Sequence, residues 1–205
     1  MHRLKERTLA EQVAAHTETP VRLYMEDAYH KPRIMKTREM VAKALEELGQ
    51  GDPAHRFKTI VELGCGAADI SGFFSWGHHV HAYECNPNAL VHVAREYPWF
   101  NLHVGNLEEA EPIESDILIA CEIFEHLVDP MATAQKWLSK AKYAVISSPL
   151  NGDRENDSSG GEHAWSFDAP DFANMANAGG HDVLEVVKLP CGGYTFVIMR
   201  TKRRD

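Results

Sequence analysis

Several things are scarce in this 205-residue chain, and each scarcity removes a class of protein. No apolar run approaches the roughly 20 residues of a membrane span, and the charged opening MHRLKER is followed by no apolar stretch of signal-peptide type. A cytoplasmic protein with no membrane partner is the expectation. Cysteine is sparse: Cys65, Cys85, Cys121 and Cys191 are widely spread and form no C-x-x-C pair, which speaks against a disulfide framework and for a reducing compartment. Basic residues are in deficit, 21 against 30 acidic ones for a net charge of −9. Such a surface repels phosphate backbones, so nucleic acid is disfavoured as a partner; the short basic runs at the termini, MHRLKER and TKRRD, read as solvated tails. Internal repeats are also missing.

What is present suits one globular α/β unit, with 44% hydrophobic and 25% charged residues. Residues 1–50 are polar and helical in pattern and are expected to pack on, or cap, a site in the domain formed by 51–205. In TREMVAKALEELGQGDP, Met40, Val41, Ala44, Leu45 and Leu48 recur at helical spacing, and Gly49 stops the helix. From Phe57 the period changes to short β-type runs, FKTIVEL, HVHAYE, NLHVG, DILIA and KYAVISS, with helical patterns between them. Asn86 before Pro87 and Asp129 before Pro130 are helix starts, since an Asx side chain caps the first turn and proline fits its first position. Asp168 opens a further helix that Gly179 and Gly180 close, and DVLEVVKLP and YTFVIMRT then form an antiparallel pair joined by Cys191, Gly192 and Gly193. The expected fold is a Rossmann-like, doubly wound, seven-stranded sheet, mostly parallel with an antiparallel last strand and helices on both faces. The polar, aperiodic stretch PLNGDRENDSSGGEHAWS is long for a connection inside a domain, and Gly160 and Gly161 beside His163 would let residues 150–165 act as a lid.

The stretch VELGCGAAD carries the chemistry. In open α/β sheets ligands bind beyond the carboxyl ends of the strands, and Gly64 and Gly66 would let a ligand touch the main chain there. A dinucleotide fingerprint wants a third glycine at position 69, where this chain has Asp69; a carboxylate repels a pyrophosphate but suits a cationic cofactor. A nicotinamide oxidoreductase is therefore the least favoured reading. VELGCGAAD resembles the first motif of the class I S-adenosylmethionine-dependent methyltransferases, E/D-x-G-x-G-x-G, with Ala68 in place of the last glycine. Glu84 ends the second strand, where an acidic side chain accepts from ribose hydroxyls. The resemblance implies a cofactor site of Glu62, Gly64, Cys65 and Gly66 after the first strand, Glu84 and Cys85 after the second, Asn106 and Leu107 after the third, and Cys121 and Glu122 after the fourth. Asn106 falls where that family often reads the adenine amine with an Asp. The cysteines are read as small buried hydrophobes.

For the reaction, CEIFEHLVDP offers Glu122, Glu125 and His126, and the long loop adds His163. The set E-x-x-E-H with a later His resembles both the metal-dependent 2′-O-methyltransferases of small-RNA 3′ ends and the O-methyltransferases of ubiquinone synthesis. That implies Glu122, Glu125, His126 and His163 as ligands of Mg²⁺ or Mn²⁺, with Glu125, His126 and His163 as the catalytic residues. Many relatives carry E-H with no metal, so a histidine acting as simple base stays open beside the metal. His78, His79 and His81 receive no role. The expected activity is methyl transfer to a hydroxyl of a small molecule; an RNA 3′-terminal methyltransferase, an N-methyltransferase and a noncatalytic cofactor-binding partner are the alternatives.

Overall fold

A computed structural model of the chain describes residues 1–17, 20–49, 57–150, 163–191 and 194–205. Its elements in order are β1 (His2–Arg3), α1 (Leu9–Thr17), α2 (Lys31–Gly49), β2 (Thr59–Leu63), β3 (His79–Glu84), α3 (Pro87–Glu96), β4 (Asn101–Val104), β5 (Ser115–Cys121), α4 (Pro130–Leu138), β6 (Ala141–Pro149), β7 (Trp165–Ser166), α5 (Ala169–Ala178), β8 (His181–Cys191) and β9 (Tyr194–Arg203). Seven strands form one sheet in the order β4-β3-β2-β5-β6-β9-β8. β4, β3, β2, β5 and β6 pair in parallel, and β9 runs antiparallel to both β6 and β8. This is the expected sheet with its antiparallel last strand. The expected residues 192–193 between β8 and β9 lie outside the described residues, as does most of the expected lid at 151–162.

The strands are nearly continuous apolar runs because both faces of the sheet are covered. Along β5, Ile117 and Ile119 join one core with Ile34, Met40, Val41 and Ala44 of α2, while Leu118 and Ala120 join the other with Trp137 of α4 and Phe172 of α5. The period of two thus divides one strand between two cores. The expected helix starts form as read: Asn86 accepts from Asn88 N, Asp129 from Ala132 N, and Asp168 from Asp171 N in a full capping box.

Two departures shape the site. Among the described residues, the β2 to β3 connection carries only a 3₁₀ turn, Ser71–Phe74, in place of an α-helix. Gly72 lies against Tyr97, where a Cβ would run into the ring, and the glycine-rich stretch gives a helix little propensity. No long helix N-terminus therefore points at the glycine turn. The second departure is at the start of the chain, which is not helical throughout: α1 and α2 are separated by an irregular stretch from Pro20 to His30, and His2–Arg3 pairs antiparallel with Trp165–Ser166. Among the described residues, no helix is long and apolar enough to cross a membrane.

Candidate active site

β2 lies between β3 and β5, and the chain leaves it in opposite directions toward the two sheet edges. Strand order reverses there, so a crevice opens beyond the carboxyl ends of these strands. A cavity of about 230 Å³ fills that place, walled by the ends of β2, β3, β4 and β5 and roofed by residues of α1, the 20–24 stretch and the start of α2. All ten expected cofactor residues line this cavity: Glu62, Gly64, Cys65, Gly66, Glu84, Cys85, Asn106, Leu107, Cys121 and Glu122.

The turn after β2 needs its glycines. Gly64 and Gly66 have φ of +64° and +52°, and a Cβ on Gly64 would come within 2.7 Å of Ile123 Cδ1. Around a Cβ on Gly66 there are no protein atoms within 4 Å, so that space belongs to the cavity. Ala68 also takes a left-handed φ of 59° while fully buried, which shows why glycine is the usual residue at its position. The turn is tied to β3 through Glu84: Gly66 N donates to Oε2 at 2.9 Å, and Cys85 N and Asn86 N donate to Oε1 at 2.8 and 2.9 Å.

Asn106 has one half of its amide engaged. Its Oδ1 accepts from Glu108 N at 2.8 Å, which forces the assignment of oxygen, and leaves Nδ2 buried without a hydrogen-bond partner. The unmet group is a donor, whereas the sequence reading looked for an acceptor. Leu107 is buried, its carbonyl accepting from Lys136 Nζ and Trp137 Nε1. Burial pushes the Cys85 and Cys121 thiols up to about 12 and Cys65 well above its ordinary range. They stay protonated and inert as nucleophiles, as the small-hydrophobe reading expects. Glu62 is pushed up to about 7 by burial, opposed by its bond from Ser71 N at 3.3 Å.

The second set is only partly assembled. Glu125, His126 and His163 bring one ligand atom each to within 4.8 Å of one another. Glu122 stands outside that group. It takes φ of +56°, accepts from Ser147 Oγ at 2.8 Å and lies 3.8 Å from Arg33. Glu125 is only 1% exposed, and among the described residues neither carboxyl oxygen meets a well-formed hydrogen bond; burial together with Glu122 raises its pKa well above the usual range, opposed weakly by the Ser148 hydroxyl. A buried carboxyl of this kind either stays protonated or takes a cation. The His126 ring meets His163 at 4.9 Å between centroids and His16 of α1 at 4.7 Å.

Asp69, expected beside a cationic cofactor, lines the cavity, and so do His16, Tyr24 and Arg33, which the sequence did not place in the site. Asp69 Oδ2 accepts from Tyr24 N at 2.8 Å and its carbonyl accepts from Arg38, so it fastens the N-terminal segment over the turn. Only Arg33 left a readable signal: with Thr37, Met40, Val41 and Ala44 it falls on the apolar stripe of α2, where a charge is out of place.

No protein-family model and no curated protein matches the sequence. Solved structures do resemble the fold. Magnesium protoporphyrin IX methyltransferase (ChlM) from Synechocystis with bound SAH superposes with a TM-score of 0.67 at 13% identity, over 91% of this chain and 90% of that one. The N-methyltransferase NodS from Bradyrhizobium japonicum, in complex with S-adenosyl-L-homocysteine, gives 0.71 at 11% identity over 94% and 97%. The [4+2]-cyclase SpnF gives 0.65 at 9% identity over 95% and 91%. These likenesses establish a Rossmann-like fold of the methyltransferase type.

Proposed function

We propose that the protein is an S-adenosylmethionine-dependent methyltransferase acting on a hydroxyl of a small molecule. The observation that carries the reading is the left-handed Gly64–Gly66 turn tied to the Glu84 carboxylate at the point where strand order reverses, with cavity space opposite Gly66. The residues present fit this cofactor. The carboxylates of Asp69 and Glu84 line the cavity, an environment that favours a cationic sulfonium over a pyrophosphate. Glu84 has three of its roughly four lone-pair positions filled by backbone N–H groups, leaving Oε2 able to accept from a ribose hydroxyl. Asn106 Nδ2 would donate to an adenine ring nitrogen. When bound, the cofactor supplies an electrophilic methyl group.

The chain's own work is to hold the acceptor beside that methyl and to accept its proton. His126, edge-on to both His16 and His163, is the candidate base, since imidazole takes a proton near neutrality. Oxygen is preferred over nitrogen as acceptor because the cluster joins a carboxyl to imidazoles, which helps to ionise a hydroxyl. A divalent cation is the second reading, favoured by the orphaned Glu125 carboxyl: Glu125, His126 and His163 would hold it and it would lower the pKa of a bound hydroxyl. Glu122 is not counted in that set. Full activity in chelator with metal-free protein would leave the histidine as base.

Calorimetric titration tests the cofactor first: S-adenosylmethionine and S-adenosylhomocysteine should bind and NAD should not. Labelled cofactor offered with catechols, sugars, small acids and RNA ends then tests the acceptor. Binding without transfer to any of them would favour a noncatalytic partner, and labelled RNA ends would replace the small-molecule reading.

A further inference from the structure

Helix α1 covers the cavity with a polar side chain in the place of an apolar one. Thr8 and Glu11 start it as a capping box: Thr8 N donates to Glu11 Oε2 at 2.8 Å, and Glu11 N donates to Thr8 Oγ1 at 3.3 Å. The helix reads LAEQVAAHT, and a surface helix of this composition would ordinarily turn Leu9 and Val13 inward. Gln12 is instead its one buried residue, 6% exposed, while Leu9 and Val13 are half-buried and Ala10 and Ala14 are exposed. Gln12 lines the cavity, and its Oε1 is buried without a hydrogen-bond partner among the described residues. An amide oxygen withdrawn from water and left unmet costs stability, so packing does not account for its burial. It calls for a donor that arrives with a ligand.

The neighbour of Gln12 on the helix indicates which ligand. Gln12 and His16 stand four residues apart on one face of α1, with about 5–6 Å between their Cβ atoms, and both line the cavity. The His16 ring lies 4.7 Å from that of His126, the candidate base beyond β5, whereas Glu84 and Asn106 stand at the ends of β3 and β4, on the other side of β2. We propose that Gln12 selects the methyl acceptor, its Oε1 accepting from a hydroxyl that the acceptor carries in addition to the one presented to His126. A neutral donor suits this amide, since an ammonium buried against an uncharged group would keep most of its desolvation cost. The acceptor is thus a compound with two or more hydroxyls, held by α1 at one while another is methylated. The inference rests on the reading of the site as that of an O-methyltransferase.

The test uses the full chain and Gln12→Leu, which is of similar size and lacks the polar atoms. In the ligand-free protein this variant should raise the urea midpoint, because the unmet oxygen is gone; a lowered midpoint would show that the fold itself pairs Gln12 and overturns the inference. Both proteins, saturated with S-adenosylhomocysteine, are then titrated calorimetrically with the benzenediols and cyclohexanediols, set against phenol and cyclohexanol. Wild type should prefer at least one diol to its single-hydroxyl counterpart by about tenfold, the scale of one buried hydrogen bond. Gln12→Leu should abolish that preference and leave the affinities for the single-hydroxyl probes and for S-adenosylhomocysteine unchanged. Wild type showing no preference for any diol overturns the inference whether or not the variant folds. A variant that binds S-adenosylhomocysteine more weakly places Gln12 on the cofactor, and overturns it equally. Failure of wild type to bind S-adenosylhomocysteine refutes the cofactor reading instead, and the same probes on the free protein then decide Gln12.

Discussion

At the scale of single residues, burial and backbone conformation govern the site more than charge does. Glu62 shows the first. Its folded pKa of about 7 lies above the model-peptide carboxyl range, so the folded protein holds that proton more tightly than the unfolded chain. Its contribution is complete below pH about 4.5 and is lost as pH rises through about 7, a change on the order of 3 kcal/mol. Urea melts at pH 5 and pH 8 should show Glu62→Gln gaining relative to wild type at the higher pH; equal differences at both would remove the argument. Gly64 and Gly66 show the second, and they should separate. Gly64→Ala meets Ile123 and should lower stability and binding together. Gly66→Ala meets only cavity space, so it should cost the folded chain about 1–2 kcal/mol for its left-handed φ and remove cofactor binding as well. Glu84→Ala should lose at least about 1.5–3 kcal/mol of cofactor affinity, since it frees the turn in addition to deleting an acceptor.

At the scale of elements, the caps act locally and the N-terminal segment acts at a distance. The capping box of Asp168 with Asp171 closes the first turn of α5, and Asp168→Ala should lower stability by about 1 kcal/mol in a denaturant melt without changing cofactor affinity. Asp69 has a different reach. It joins the turn after β2 to Tyr24 and Arg38, so Asp69→Ala should loosen the stretch between α1 and α2. We expect faster amide exchange around Tyr24 in that variant and weaker binding, which would fit the capping role we propose for residues 1–50. Unaltered exchange at Tyr24 would show that the cap is held by packing alone. The 3₁₀ turn after β2 belongs to the same scale, since it leaves the glycine turn anchored by Glu84 in place of a helix dipole.

At the scale of the whole molecule, two cores cover the sheet and the four cysteines are all free thiols, of which Cys65, Cys85 and Cys121 have their pKa raised by burial. At pH 8 a thiol reagent such as Ellman's should react slowly with the folded protein and fast in urea; rapid reaction of folded protein would contradict the burial. Carboxyl groups gather at one end of the sheet around a cavity that the buried Arg33 also lines.

The sequence by itself determined the order of the seven strands of the main sheet, the antiparallel last strand, the Asx-Pro helix starts and the glycine turn with Glu84, but not the 3₁₀ turn after β2 or the pairing of His2–Arg3 with Trp165–Ser166. These depend on short-range patterns: apolar runs covered on both faces, side chains capping their own first turn, and backbone conformations that glycine alone adopts freely. It also placed Glu125, His126 and His163 in one candidate set, and they meet. Only the tertiary structure decided that Glu122 turns to Ser147 and Arg33, that Asn106 spends its oxygen on Glu108 N and keeps Nδ2 as a buried donor, and that His16, Tyr24 and Arg33 close the cavity. The first two follow from hydrogen bonds whose partners lie elsewhere in the fold or compete for the same atom. The third follows from docking of α1, the 20–30 stretch and α2 over the strand ends, where residues distant in the chain meet because packing brings them there, with no local pattern to announce it.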